Sequence, residues 1–447
     1  MRNLLHKYIR PLYLSSRLFT LLVLVSVGFI FSFFFPFLSI LPRLLLITTS
    51  VLFIADYIML FGRKGMFARR VTPERLSNGD ENTIKIYLQN TYPFPVNASV
   101  IDEIPHQFQV RDSLFRSTLS PGEEKQISYS LRPVKRGEYD FGAVNVFACS
   151  FLGIIIRRYI FEEQKMVPVY PSFLQMRRYQ LLAISNRLSE IGVKKIRRIG
   201  HSMEFEQIKE YVKGDDIRTI NWKATARKSQ LMVNGYTDEK SQQIYCLVDK
   251  SRVMKMPFDG LSLLDYAINA SLVLTNVALL KQDKAGLITF SEEPGSFLQA
   301  SRKATQMNTI LEVLYKQKTR YLESDYDKLY TLIRSNITQR SLLVLFTNFE
   351  SLPGLKRQIK YLRKIAQQHL LMVVFFENTE LFSMVSKPSE GIEDIYTRTI
   401  AEKFVFEKKM IVKELQKYGI ISILTPPRQV TVNSVNKYLE LKSRQMI

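Results

Sequence analysis

The chain has 447 residues, 46% of them apolar and 23% charged, with a formal net charge of +22. That length suits two or three domains of ordinary globular composition. Only two cysteines, Cys149 and Cys246, are present and they lie far apart, which excludes a disulfide framework and makes a reducing compartment the natural reading. The four histidines (His6, His106, His201, His369) have no partner at zinc-ligand spacing, so no Cys/His metal site is readable. The basic excess fits either nucleic acid or an anionic membrane surface. The N-terminal sequence favours the membrane.

Residues 18–41 contain no charged side chain, a run longer than the roughly 20 residues that cross a hydrocarbon core. A second apolar run, 44–61, carries a single acid, Asp56. Pro42 and Arg43 separate the two and predict a very short turn, so residues 1–65 read as a hairpin of two transmembrane helices. Arg2, Lys7, Arg10 and Arg17 precede the first span, and Arg63, Lys64, Arg69 and Arg70 follow the second. Arg43 alone sits in the turn, so the positive-inside rule places both flanks in the cytoplasm of a multi-pass inner-membrane protein. The first run is too long for a cleaved signal peptide. Asp56 lies near the cytoplasmic end of its span and is expected to reach interfacial water.

Residues 66–171 change pattern. Stretches 83–88 and 126–131 alternate polar and apolar side chains, as half-buried strands do. Turn signals at Asn78-Gly79-Asp80, Pro121-Gly122 and Arg136-Gly137 divide the segment. A small antiparallel β-sandwich is predicted, with Arg70, Asn90 and Tyr139 in framework roles.

Residues 172–240 are the most unusual stretch. A basic run (Lys194, Lys195, Arg197, Arg198) leads into residues 204–212, whose spacing predicts a short helix stopped by Gly214. Asp215, Asp216, Arg218 and Arg227 can form charge-assisted pairs, and Trp222 is the only tryptophan. The favoured reading is a buried polar clamp. A protein-recognition surface is the alternative, and acid/base catalysis comes third because no cleft or nucleophile is identifiable.

Glu204-Phe205, Tyr211, Gly214-Asp215-Asp216, Arg218, Ile220-Asn221-Trp222 and Ala226-Arg227 resemble the signature of a bacterial family catalogued as "domain of unknown function fifty-eight". The general plan resembles that family too: two spans, a β-domain, the signature, then a von Willebrand factor A-like domain. Such chains are often found beside MoxR-type AAA+ ATPases, so the resemblance implies partnership with one.

Residues 241–447 alternate strands and helices. Strands are predicted at 243–248, 285–290, 342–346, 370–376 and 420–424. Helices are predicted at 261–280, 304–314, 325–337, 355–368, 392–418 and 432–444. This is a doubly wound α/β pattern with a mostly parallel sheet, which binds ligands beyond the carboxyl ends of its strands. No P-loop, dinucleotide fingerprint or Gly-x-Ser-x-Gly elbow is present.

The resemblance to von Willebrand factor A domains implies a Mg²⁺ site built from Asp-x-Ser-x-Ser, a second-loop Thr and a third-loop Asp. Here Asp249 and Ser251 are kept, but Val253 stands at the fifth position. The second loop reads Glu323-Ser324-Asp325, offering Ser324 or Asp325, and the third reads Thr347-Asn348, with the amide of Asn348 in place of a carboxylate. With fewer oxygen ligands and less negative charge, the Mg²⁺ site is expected to be vestigial, and no cofactor is expected. Otherwise Asp249 and Ser251 cap the following helix. The functional expectation is a membrane-anchored, non-enzymatic adaptor serving a MoxR-type ATPase. Alternatives are a hydrolase using signature carboxylates and a basic nucleic-acid binder at the membrane, the latter lacking a basic-aromatic recognition motif.

Overall fold

The computed structural model describes residues 11–63, 65–110, 113–184, 203–212, 217–228, 230–238, 242–386 and 391–447. The chain divides into two compact units, Met1–Tyr170 and Pro171–Ile447.

In the first unit, strand β1 (Leu12–Leu14) runs into helix α1 (Ser16–Phe34), and a 3-10 turn at Pro36–Ser39 leads to helix α2 (Ile40–Phe61). At 1.5 Å per residue α1 is roughly 28 Å long, the thickness of a hydrocarbon core. The hairpin therefore turns at Phe35–Ser39 and not at Pro42-Arg43, which lie in the first turn of α2. The reason is proline chemistry. Pro36 has no N–H to continue α1 and forces Phe35 out of the helical region (φ −128°, ψ 87°), whereas a proline in a helix's first turn removes a donor that has no partner anyway.

Among the described residues three helices are long and apolar enough to cross a membrane, but only 11% and 22% of the two N-terminal stretches is buried, against 83% of Leu263–Leu280. The third is a core helix. The first two expose side chains such as Val23, Phe33, Ile47 and Ile58, as lipid-facing helices do.

The β-domain contains a five-stranded sheet, β1-β10-β9-β5-β6, and a three-stranded sheet, β2-β4-β7. Its strands include β2 (Met66–Val71), β4 (Asn82–Asn90), β5 (Val96–Asp102), β6 (Leu114–Leu119), β7 (Glu124–Leu131), β9 (Val144–Cys149) and β10 (Ile155–Phe161). Pairing is antiparallel throughout both sheets. Strand β4 alternates buried Ile84, Ile86 and Leu88 with exposed neighbours, matching the sequence pattern. β1 precedes the hairpin and β2 follows it, so both ends of the hairpin root in one β-domain and lie on the same side of any membrane it crosses.

The framework expectation for Arg70 holds. Its buried guanidinium pairs with Asp102, donates to the Gly142 and Glu163 carbonyls, and lies 4.9 Å from the centre of the Phe141 ring. Asp102 also accepts the Tyr129 hydroxyl. The expectation for Asp56 fails. Its carboxylate is fully buried, accepting the Ser150 hydroxyl and the Ile154 and Ile155 N–H groups at 3.0 and 2.8 Å. Sequence position placed it near water, but the β9–β10 connection covers it.

The second unit centres on a six-stranded sheet of order β18-β17-β14-β19-β20-β21, all parallel except the edge strand β18 (Pro294–Ser301). Strands β14 (Gln243–Asp249), β17 (Lys284–Phe290), β19 (Leu342–Phe346), β20 (Leu370–Phe376) and β21 (Ile421–Thr425) carry the apolar runs expected of a sheet covered on both faces. The described helices of this unit are α3 (Phe173–Ile184), α4 (Trp222–Lys228), α5 (Leu263–Leu280), α6 (Gln306–Tyr315), α7 (Tyr326–Asn336), α8 (Leu352–Gln368), α9 (Thr379–Ser386), α10 (Ile392–Lys417) and α11 (Val430–Ser443). Helix α5 starts at a capping box in which Ser262 and Asp265 bond each other's backbone. Tyr326, Leu329 and Ile333 of α7, Leu355, Leu362 and Ile365 of α8, and Ile411 and Leu415 of α10 pack in one core with β14, β19 and β20.

Candidate functional site

Two places collect the residues singled out from sequence. The first is the signature hairpin. Residues 204–212 do not form the expected helix: strand β12 (Met203–Glu210) pairs antiparallel with β13 (Met232–Asp238). The pairing register shifts between Phe205 and Gln207. An inserted residue at such a bulge fits the three-residue step from Phe205 to Ile208, a spacing that imitates a helix in sequence.

Between the strands, a 3-10 turn at Ile217–Thr219 precedes α4. Asn221 holds this excursion together. Its side-chain oxygen accepts the Ala224 N–H at 3.0 Å, which caps α4, and its amide donates to Asn234 at 2.8 Å on β13. Its backbone N–H donates to Met232 at 2.8 Å, and Thr225 accepts the Met232 N–H at 3.0 Å. Half-buried Tyr211 donates its N–H to the Leu231 carbonyl at 2.8 Å. Gly214, Asp215 and Asp216 lie outside the described residues, as do the side chains of Glu204 and Arg218.

Trp222 does not take the buried place that the clamp reading gave it. Its ring is 70% exposed, so it closes no core. Exposed Val212, Ile217 and Leu231 belong to the same excursion, and Arg227 of α4 is exposed as well. The polar clamp is Asn221, next in sequence, and it leaves the tryptophan outside. Trp222 thus adds a large apolar group to the exposed surface of a braced scaffold.

The second place is the carboxyl end of the sheet. Asp249 ends β14, the strand flanked by β17 and β19 where the chain's winding reverses. Its carboxylate is buried and saturated: Oδ1 accepts the Ser251 N–H at 2.9 Å and the Ser324 hydroxyl, and Oδ2 accepts the Thr347 hydroxyl at 2.7 Å. Tyr326 shares a 3.0 Å hydrogen bond with Thr347. Burial pushes the Asp249 carboxyl up, while the donors on Ser324, Thr347 and Ser251 pull it down.

The remaining predicted ligands do not converge with it. Asp325 caps α7 through the Asp327 and Lys328 N–H groups at 2.9 and 3.2 Å. Asn348 accepts the Lys408 ammonium at 2.6 Å and donates to the Val253 carbonyl at 3.4 Å. Lys408, on α10, donates also to the Phe349 carbonyl. Burial pushes its ammonium down to about 8, with Glu350 pulling the other way.

The Mg²⁺ implied by the resemblance does not fit this set. Hard cations need several free oxygens. Both Asp249 oxygens are engaged, Val253 offers none, and the Asn348 side-chain oxygen faces an ammonium. The Ser251 hydroxyl is buried without a partner, but one hydroxyl does not hold a divalent ion. Among the described residues no group of three or more His, Cys, Asp or Glu could hold a metal. Titration calorimetry with Mg²⁺ and Mn²⁺ should give no saturable heat at micromolar concentration. Asp249→Ala should cost about 2 kcal/mol or more through the orphaned donors. Saturable binding abolished by that substitution would contradict this account. The capping alternative is not met: the following 3-10 turn (Arg252–Met254) has no side-chain cap, and Asp249 receives only the N–H of Ser251, the N-cap residue itself.

Sequence reasoning missed Lys408, one of several lysines on α10. Only the strand order brings that helix to the end of β19. The expected role of Thr347 also changes, since it belongs to Asp249 itself.

The fold defines the class. A membrane-length hairpin and β-domain precede an α/β domain whose strand order is that of doubly wound, von Willebrand factor A-like folds. Residues 207–381, from β12 into α9, match the family model described as "Protein of unknown function DUF58". "Uncharacterized protein YeaD" of Bacillus subtilis (strain 168) is 30% identical over 191 residues, 41% of this chain and 47% of that protein. The chain thus spans about half the length of that curated relative. Among solved structures, the conserved hypothetical protein BatB from Bacteroides thetaiotaomicron is similar at 13% identity and TM-score 0.32, over 46% of this chain and 100% of that one. The SpRpn10 VWA domain is similar at 12% identity and TM-score 0.29, over 44% and 95%.

Proposed function

We propose that this chain is a membrane-anchored, non-enzymatic adaptor whose signature hairpin is its recognition surface. The observation that carries the reading is Trp222, exposed on a short helix that Asn221 and Thr225 tie to β13. Tryptophans in such settings are the usual anchors of protein interfaces. The partner class comes from the family resemblance, which implies a MoxR-type AAA+ ATPase acting in assembly or maturation of a membrane or envelope system. On this reading the two N-terminal helices hold the surface at the inner membrane, and the flanking Arg and Lys residues support a cytoplasmic side for the rest of the chain, near an anionic leaflet.

One preparation tests both halves. Protease added to inverted membrane vesicles should digest residues 66–447, and digestion in spheroplasts instead would reverse the topology. Full-length protein solubilised from the same vesicles should capture an AAA+ ATPase when a non-hydrolysed ATP analogue is present. If no such ATPase is enriched, the adaptor reading loses its partner.

A further inference from the structure

A cavity of about 340 Å³ opens at the carboxyl ends of β19, β20 and β21, under α9 and α10. Met256, Phe258, Leu381, Phe382, Phe404 and Leu424 give it apolar walls. Its size and lining are those of a small-molecule site, and its place at the strand ends is where doubly wound sheets bind ligands.

Four charged side chains line the cavity: Glu350, Glu377, Lys408 and Lys409. Glu350, Glu377 and Lys409 are exposed, although burial pushes the Glu377 carboxyl up, and Lys408, on whose ammonium the Glu350 charge acts, is the one drawn inward. The Lys408 ammonium is held by neutral acceptors alone, the Asn348 amide oxygen and the Phe349 carbonyl. Among the described residues it forms no ion pair. Two of its three N–H groups have acceptors, the ammonium lies 5.8 Å from the centre of the Phe375 ring, and among the described residues the third N–H has no hydrogen-bond acceptor. Holding a desolvated ammonium without a carboxylate in contact is costly, and an arriving anion would relieve that cost.

We propose that this cavity binds a small single-chain carboxylate, with its apolar tail against the Phe382 and Phe404 side and its carboxylate on Lys408. A cationic ligand would meet the same ammonium unfavourably. A neutral one would fill the walls but leave the third donor unused.

The test uses full-length protein in phosphatidylcholine nanodiscs, which add no anionic lipid, with octanoate and octanol as probes and empty nanodiscs as the background. Octanoate should bind saturably above background. It should bind at least about tenfold more tightly than octanol, the factor a charge-assisted hydrogen bond supplies. Lys408→Met should weaken octanoate by about the same factor and leave octanol within about twofold. Leu381→Trp, which fills the cavity without touching the ammonium, should abolish both, so the proposal stays testable even if Lys408→Met does not fold. Absence of saturable octanoate binding, equal affinity for octanol, or octanoate binding unchanged by Leu381→Trp would overturn it.

Discussion

Replacing Arg70 with alanine is expected to destabilise the β-domain by about 3–5 kcal/mol, the loss typical of breaking a buried ion pair from one side. In a unit of this size that corresponds to a fall in melting temperature on the order of 10 °C. The guanidinium joins β2 to Asp102 at the end of β5 and to the Gly142 and Glu163 carbonyls, so it crosslinks the two sheets. Without it, the Asp102 charge stays buried with only the Tyr129 hydroxyl as a side-chain donor. The double substitution Arg70→Met with Asp102→Leu should recover most of the loss, because the dominant cost is the abandoned charge and not the absent attraction. Thermal melting of the detergent-solubilised protein checks both. A single variant that melts like wild type would show that Asp102 takes up a proton or a new partner.

The second large effect is expected at Asp56. Asp56→Ala removes the acceptor of two buried backbone N–H groups, on Ile154 and Ile155, and of the Ser150 hydroxyl. Each orphaned donor costs about 1–3 kcal/mol, so a total of about 3 kcal/mol or more follows. The same loop is held from α1 as well, where Arg17 donates to the Leu152 carbonyl at 3.3 Å and Ser15 donates to the Ile154 carbonyl at 3.1 Å. The residue 150–154 connection is thus one of the places where the apolar hairpin is fastened to its β-domain, alongside the bonds from Tyr92 and Arg157 to the Leu60 carbonyl. Cleavage by added protease within residues 150–154 should accelerate sharply in Asp56→Ala and less in Asp56→Asn, whose amide keeps one acceptor. Unchanged cleavage in both would mean that the carboxylate does not hold the loop.

The sequence was most legible where one physical rule acted alone. Apolar runs at 342–346 and 370–376 gave strands with those same limits, because a parallel strand buried on both faces has no polar side to blur it. It was least legible where a local signal was overruled. The bulge near Phe205 turned a strand into a helical spacing. Edge strand β18 opens with Pro294-Gly295 and lacks clean alternation, so it left no trace in the reading. Asp56 looked like an interfacial carboxylate because nothing in sequence says that residues 150–155 fold over it. The site residues divide the same way. Asp249, Ser251 and Ser324 come together as the strand-end pattern implied, but the lysine that answers Asn348 sits 60 positions downstream and is fixed only by the packing of α10.

The measurement closest to the central claim is a paired assay on Trp222→Ala in the full-length protein, comparing melting temperature with capture of the proposed AAA+ ATPase. Because the ring is exposed, stability should stay within about 0.5 kcal/mol of wild type. As the anchor of the proposed recognition surface, its loss should lower affinity by about 2 kcal/mol or more, roughly 30-fold. Lower stability with full capture would contradict the account: Trp222 would then be a structural residue, and the signature hairpin would not be the surface by which this membrane-anchored chain recognises its partner.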